Sequence, residues 1–90
     1  MATIAVVLRF VPEQNERRLA ARPKHREFLA RLKAEGRLIN GGPFADGTGA
    51  LLVYRAADVD EVRGILAEDP YPAECYTVES ADEWTTLFDF

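Results

Sequence analysis

The sequence predicts an α+β fold, with one four-stranded antiparallel sheet and two helices on one of its faces. Three observations predict it. Apolar β-branched runs alternate with apolar stripes at helical spacing, in the order strand–helix–strand–strand–helix–strand. That βαββαβ order is the split βαβ, or ferredoxin-like, pattern. Proline, glycine and aspartate punctuate the junctions between the runs. Finally, 90 residues without a repeat, linker or low-complexity tract allow one domain, residues 1–90.

Ala2 to Phe10 reads as the first strand, closed by Pro12. Ile4, Val6, Leu8 and Phe10 point one way, while Ala5 and Val7 point the other and are also apolar. A sheet wet on one side alternates apolar with polar residues, so both faces here are expected to be covered. Glu13 to Glu35 reads as helix in two pieces, with Pro12 in a first-turn position and Pro23 kinking or restarting it. Beyond Pro23 the stripe is Phe28, Leu29 and Leu32, and Gly36 is the C-terminal stop.

Arg37 to Asn40 reads as a short strand running into Gly41-Gly42-Pro43. Asp46-Gly47 gives a turn, and Ala50 to Tyr54 forms a strand apolar on both faces. Asp58 caps the second helix, with Glu61 three residues on completing a capping-box-like pair. Val59, Val62, Ile65 and Leu66 are its expected buried face. Asp69-Pro70 ends it, because a residue before proline avoids the α region. Cys75 to Ser80 reads as the last strand, followed by a tail carrying Trp84, Leu87, Phe88 and Phe90.

Composition narrows the function classes. A net charge of −4 and a pI near 4.9 argue against nucleic acid as a partner. One cysteine excludes an internal disulfide, and with one histidine it excludes a Cys/His zinc site. No apolar run approaches the ~20 residues of a membrane span. The start, Met1-Ala2-Thr3-Ile4, lacks the basic region of a secretory leader, so the cytoplasm is expected. So short a chain buries ~60–65% of its unfolded surface, and a partner would extend its core. The apolar outer sheet face and the four apolar residues in the last seven point the same way. A homodimer with facing sheets is expected.

Charge is unevenly distributed. Eight of the eleven Lys/Arg residues lie between Arg17 and Arg37. They form either a solvated helix face or an electropositive mouth for an anionic small molecule.

Three short motifs, Arg22-Pro23-x-His25, Gly42-Pro43 and Asp69-Pro70-Tyr71, occur in that order and at a spacing that resembles the YciI-like (YCII-related) family over essentially the whole chain. The resemblance implies a ferredoxin-like dimer of the α/β-barrel type, similar to muconolactone isomerase. One branch of the family resembles dehydrochlorinases acting on chlorinated hydroxyquinols. The catalytic pair it implies, a histidine and an aspartate, falls on His25 and Asp69 here. The acidic stretch Glu79 to Glu83 and the aromatic ending lie outside these motifs.

His25 precedes Phe28, Leu29 and Leu32 by three, four and seven residues, which puts it on the stripe facing the sheet. It is expected near the start of the helical segment after Pro23. There the positive helix end and burial disfavour imidazolium and a carboxylate favours it, a balance suited to an acid–base group. Asp69 would accept from one ring nitrogen and leave the other to substrate. The alternative is a partly buried histidine satisfied by a carboxylate, with structural duty only.

Gly41-Gly42-Pro43-Phe44 admits two readings: glycines that let a ligand approach backbone, with Phe44 as an aromatic wall, or a strand exit needing unusual dihedrals. Arg22 could pair with a substrate carboxylate or phenolate, or with a surface acid. Cys75, in a strand with no second histidine, gives little support for a catalytic thiol. Capping accounts for Asp58 and Glu61 without a metal, no haem-attachment motif is present, and no external cofactor is implied. The sequence therefore points to a small-molecule enzyme using His25 and Asp69 for proton transfer on a cyclic oxygenated substrate, with Arg22, Gly42, Pro43 and Phe44 as binding residues. A non-catalytic small-molecule-binding or accessory module is the other reading.

Overall fold

The chain begins with a strand whose alternate residues are sealed from water, in a computed structural model that describes all of residues 1–90. The elements are β1 (Ala2–Phe10), a 3-10 turn (Pro12–Gln14), α1 (Asn15–Ala34), β2 (Leu38–Pro43), β3 (Gly49–Ala56), α2 (Val59–Glu68), a second 3-10 turn (Ala73–Cys75) and β4 (Tyr76–Glu83). The sheet order is β2-β3-β1-β4, antiparallel throughout. This is the expected α+β arrangement, with β1 and β3 central.

The core lies between the sheet and both helices. Ile4, Val6 and Leu8 from β1 meet Leu52, Tyr54 and Ala56 from β3, Phe28 and Leu32 from α1, and Val62, Ile65 and Leu66 from α2. Two bulges adjust the strand faces. β4 pairs Val7 with Ser80 but Leu8 with Val78, so Glu79 is an extra residue. The extra residue keeps Tyr76, Val78 and Ala81 all packed against the core, although their spacing breaks strict alternation. A second irregularity, between Leu38 and Asn40, places Leu38 opposite Tyr54 and Gly41 opposite Leu52.

Several junctions match the sequence reading. Gly36 and Gly47 both have positive φ, 77° and 75°, at the end of α1 and in the β2–β3 turn. Thr48 donates to Asp46 through both its backbone N–H and its hydroxyl, and these bonds hold the Asp46 carboxyl below its usual range. Asp58 caps α2 by accepting from the Glu61 N–H at 2.9 Å, while the Glu61 side chain reaches back to the Ala57 N–H. Asp69 leaves the helix with ψ 136°.

Four local expectations are corrected. Helix α1 is one continuous element of 20 residues with Pro23 inside it, not two pieces. Pro23 and Leu19, whose carbonyl Pro23 cannot satisfy, both lie on the exposed side, where water can replace the missing donor. Gly41 and Gly42 are paired residues within β2 and neither has positive φ, so they are not a strand exit with unusual dihedrals. Cys75 sits in the 3-10 turn, fully buried, rather than in a strand. β4 continues three residues past Ser80.

The outer face of the sheet has no helix. It carries Ala5, Val7, Leu51 and Val53, and the C-terminal tail crosses it. Trp84 is anchored by its N–H to the Thr3 carbonyl and meets Phe90 edge-on, with ring centroids 5.7 Å apart. Both aromatics line a hollow with Leu51 and Val53, so the chain's own tail covers part of this face. Leu87 and Phe88 remain exposed. No helix is long and apolar enough to cross a membrane.

Candidate functional site

A cleft of about 330 Å³ opens between α1 and the β2–β3 edge of the sheet. Its wall is one face of α1, where Arg18, Arg22, His25 and Leu29 recur at four-, three- and four-residue spacing and Arg26 stands beside them. Phe10 closes one end from the last position of β1. Gly41, Gly42 and Pro43 supply the β2 side, Ala50 and Leu52 the floor, and Tyr71 enters from the α2–β4 connection.

His25 and Asp69, 44 residues apart in sequence, meet here. Nδ1 lies 2.7 Å from Asp69 Oδ1 and 2.8 Å from Oδ2. A carboxylate only accepts, so this contact assigns a proton to Nδ1 and leaves Nε2 without a protein partner. Asp69 is fixed in turn: Oδ1 also accepts from the Tyr71 N–H at 2.9 Å, a local turn that Pro70 favours by holding the Asp69 backbone extended. The Tyr71 ring then lies flat on the imidazole, with centroids 3.7 Å apart and planes within 8°. Asp69-Pro70-Tyr71 thus orients His25 twice, at its edge and across its face.

The imidazole is nearly enclosed, with 10% of its side chain exposed against 4% for Asp69. His25 is the eleventh residue of a continuous helix, so the positive helix end expected beside it is absent. Deeper in the core, the Tyr54 hydroxyl is buried with no hydrogen-bond partner. Burial first, then the charges of Asp69 and Tyr76, hold its proton far above its usual 10.0. Burial also raises Tyr76, whose hydroxyl donates weakly to the Leu66 carbonyl.

The other sequence-selected residues divide. Arg22, Gly42 and Pro43 line the cleft with His25. Phe44 does not: it lies toward the outer face, under the Arg9 guanidinium at 5.2 Å and beside the tail hollow. Gly41 faces the cleft because it pairs with Leu52, and a Cβ there would come within 2.5 Å of the Leu52 side chain. Among the basic residues of α1, Arg18, Arg22 and Arg26 line the cleft, whereas Arg17, Lys24, Arg31 and Lys33 do not.

Sequence reasoning gave no role to Arg18, Phe10 or Tyr71. Arg18 was legible in principle from its spacing to Arg22 and His25. Reading a break at Pro23 separated it, and Arg22 with it, from His25. The Tyr71 stack depends on how the α2–β4 connection folds over α1, which no local pattern encodes. No group of three or more His, Cys, Asp or Glu side chains comes together.

The structure of 5-chloro-2-hydroxyhydroquinone dehydrochlorinase (TftG) from Burkholderia phenoliruptrix AC1100, in complex with 2,5-dihydroxybenzoquinone, matches with a TM-score of 0.77. The match covers 92% of this chain and 93% of that one at 22% identity, a likeness of fold. The uncharacterized protein YjpA of Bacillus subtilis (strain 168) is 42% identical over 60 residues, 67% of this chain and 71% of that protein. The profile of the YCII-related domain matches residues 2–85, and the chain belongs to that family.

Proposed function

We propose that this protein is a small-molecule enzyme in which His25 transfers a proton and Asp69 orients it, acting on a cyclic, oxygenated substrate. The observation that carries the reading is the contact of both Asp69 oxygens with Nδ1, which leaves Nε2 as the free nitrogen of a cleft-lining histidine. In an elimination, Nε2 accepts a proton from the substrate, the electron pair of that bond forms a new π bond, and the leaving group departs with its own pair. Isomerisation uses the same nitrogen first as base and then as acid. The fold likeness to a dehydrochlorinase supports the elimination class. No step needs an external cofactor.

The same reading includes a homodimer through the outer sheet faces. Leu51, Trp84, Leu87, Phe88 and Phe90 are apolar and exposed on or beyond that side, which supports it.

The test is chloride release from 5-chloro-2-hydroxyhydroquinone, followed alongside a panel of hydroxylated rings. His25→Ala is expected to lower turnover by ~10²–10⁴-fold with the fold retained, the usual contribution of a positioned acid–base group. Asp69→Asn should lose activity too, with imidazole nitrogen shifts reporting a changed tautomer. An unchanged rate in His25→Ala refutes the acid–base role. Ligand binding without turnover on any of the rings would favour the binding-module reading.

A further inference from the structure

The arginines of this protein fall into two groups. Arg9, Arg17 and Arg37 each have a carboxylate within 4 Å, from Glu79, Glu74 and Glu35. The other six have none, and three of these, Arg18, Arg22 and Arg26, line the cleft. Among them Arg18 is the anomaly, because it is 9% exposed. Buried charges in proteins are ordinarily paired, since removing an ion from water is costly. Here the guanidinium lies 3.9 Å over the face of Phe10, and Nε donates at 3.3 Å to Asn15, a neutral acceptor. Its terminal nitrogens have no protein acceptor. No carboxylate lines the cleft, and the oxygens of Asp69, the acid bonded to His25, are committed to His25 and the Tyr71 N–H.

We infer that the missing partner is the ligand: Arg18, with Arg22 one turn on, forms an oxyanion subsite that selects a single-ring substrate carrying a carboxylate or phenolate. The surroundings set the rest of the class. Leu29, Leu52 and Pro43 offer an apolar bed, and Phe10 an aromatic edge, for the ring that carries the anion. At about 330 Å³ the cleft lies at the low end of the ~300–1,000 Å³ typical of ligand sites, which suits one ring. Arg18 precedes His25 by seven residues, about 10 Å along the helix, and the long arginine side chain spans part of that distance. The anion therefore anchors at one end of the cleft while His25 Nε2 meets the ring at the other. Arg18 binds the substrate and takes no part in proton transfer.

This inference rests on the cleft being the substrate site proposed above, but not on turnover, so binding tests it separately. The probes are benzoate, its neutral isostere benzamide, and acetate, an anion without a ring, titrated into isotopically labelled protein and followed by backbone amide shifts. Benzoate should bind at least about tenfold more tightly than benzamide or acetate, the worth of a charge-assisted hydrogen bond. The preference over benzamide should shrink with added salt. Arg18→Gln should abolish that preference while leaving weak benzamide binding in place. Arg22→Gln, at an exposed position, should reduce it and serves if Arg18→Gln does not fold. Arg63→Gln, on α2 outside the cleft, should change nothing. His25→Ala should keep the preference, which separates this subsite from the acid–base proposal. Equal binding of benzoate and benzamide, or a preference that survives both cleft-arginine variants, overturns the inference. Acetate binding as well as benzoate would reduce the subsite to a general anion site and overturn the ring requirement.

Discussion

On the helix-covered face of the sheet, Leu52 is 1% exposed and belongs to a core cluster with residues from four other elements. Leu51, one residue earlier on the same strand, points the opposite way and is 38% exposed. The strand pairing is shared, so what differs is what lies above each face. The helices close one face and leave a cleft only where α1 presents arginine and histidine instead of leucine. The other face has a crossing tail whose aromatics stay largely exposed. Burial set by covering layers, rather than by strand identity, decides where this molecule is rigid and where it can take a partner.

The contrast can be broken most severely in the core. Leu52→Ala should cost about 2–5 kcal/mol, whereas Leu51→Ala should stay within about 1 kcal/mol. Urea unfolding midpoints of the two variants check this. Equal losses would mean that the outer face is as tightly packed as the inner one.

A smaller effect is expected from charge on the outer face. Leu51→Glu should leave the unfolding midpoint of the monomer nearly unchanged and weaken self-association at least about tenfold, since a carboxylate would be buried at the interface. Sedimentation velocity over a concentration series gives the answer. A wild-type protein that is monomeric at every concentration removes the facing-sheet dimer.

The smallest effect concerns the Tyr54 hydroxyl. Tyr54→Phe removes a buried group without a partner and should add about 1 kcal/mol at neutral pH. The folded state holds the Tyr54 proton above the ordinary 10.0, so above that pH the unfolded chain releases a proton that the folded chain keeps. The contribution of Tyr54 to stability therefore does not change with pH below about pH 10.0 and falls as pH rises further. Tyr54→Phe should flatten that fall, while Tyr76, also raised, keeps part of it. Chemical denaturation between pH 8 and 11 reads the slope.

Much of the fold was legible because its junctions are chemical. Gly36 and Gly47 stand where φ is positive, Asp58 where a helix needs an acceptor, and Pro70 where a helix must stop. What was misread depended on tertiary compensation. Pro23 is a breaker in isolation, but the buried side chains Arg18, His25, Phe28 and Leu32 hold one helix face across it. The glycine pair reads as a strand exit with unusual dihedrals because bare sequence cannot distinguish conformational freedom from a place where side chains would obstruct. The bulge at Glu79 hid the end of β4, since one inserted residue reverses the apparent alternation. At the site, the family motifs named His25 and Asp69, and the fold brings them to 2.7 Å. The cleft arginines and the Tyr71 stack required knowing which helix face meets which loop.

The glycine pair also sets what this chain can tolerate as it diverges. Gly41, Gly42 and Pro43 border both the His25 cleft and the tail hollow, so bare main chain is all that divides the two cavities there. The two glycines face opposite sides of that partition. A methyl at 41 collides with Leu52, whereas one at 42 meets nothing within 4 Å. Adjacent codons thus give separate access to two compartments: position 42 can accumulate side chains that reshape the outer hollow, while position 41 admits one only if the end of the Leu52 side chain moves aside.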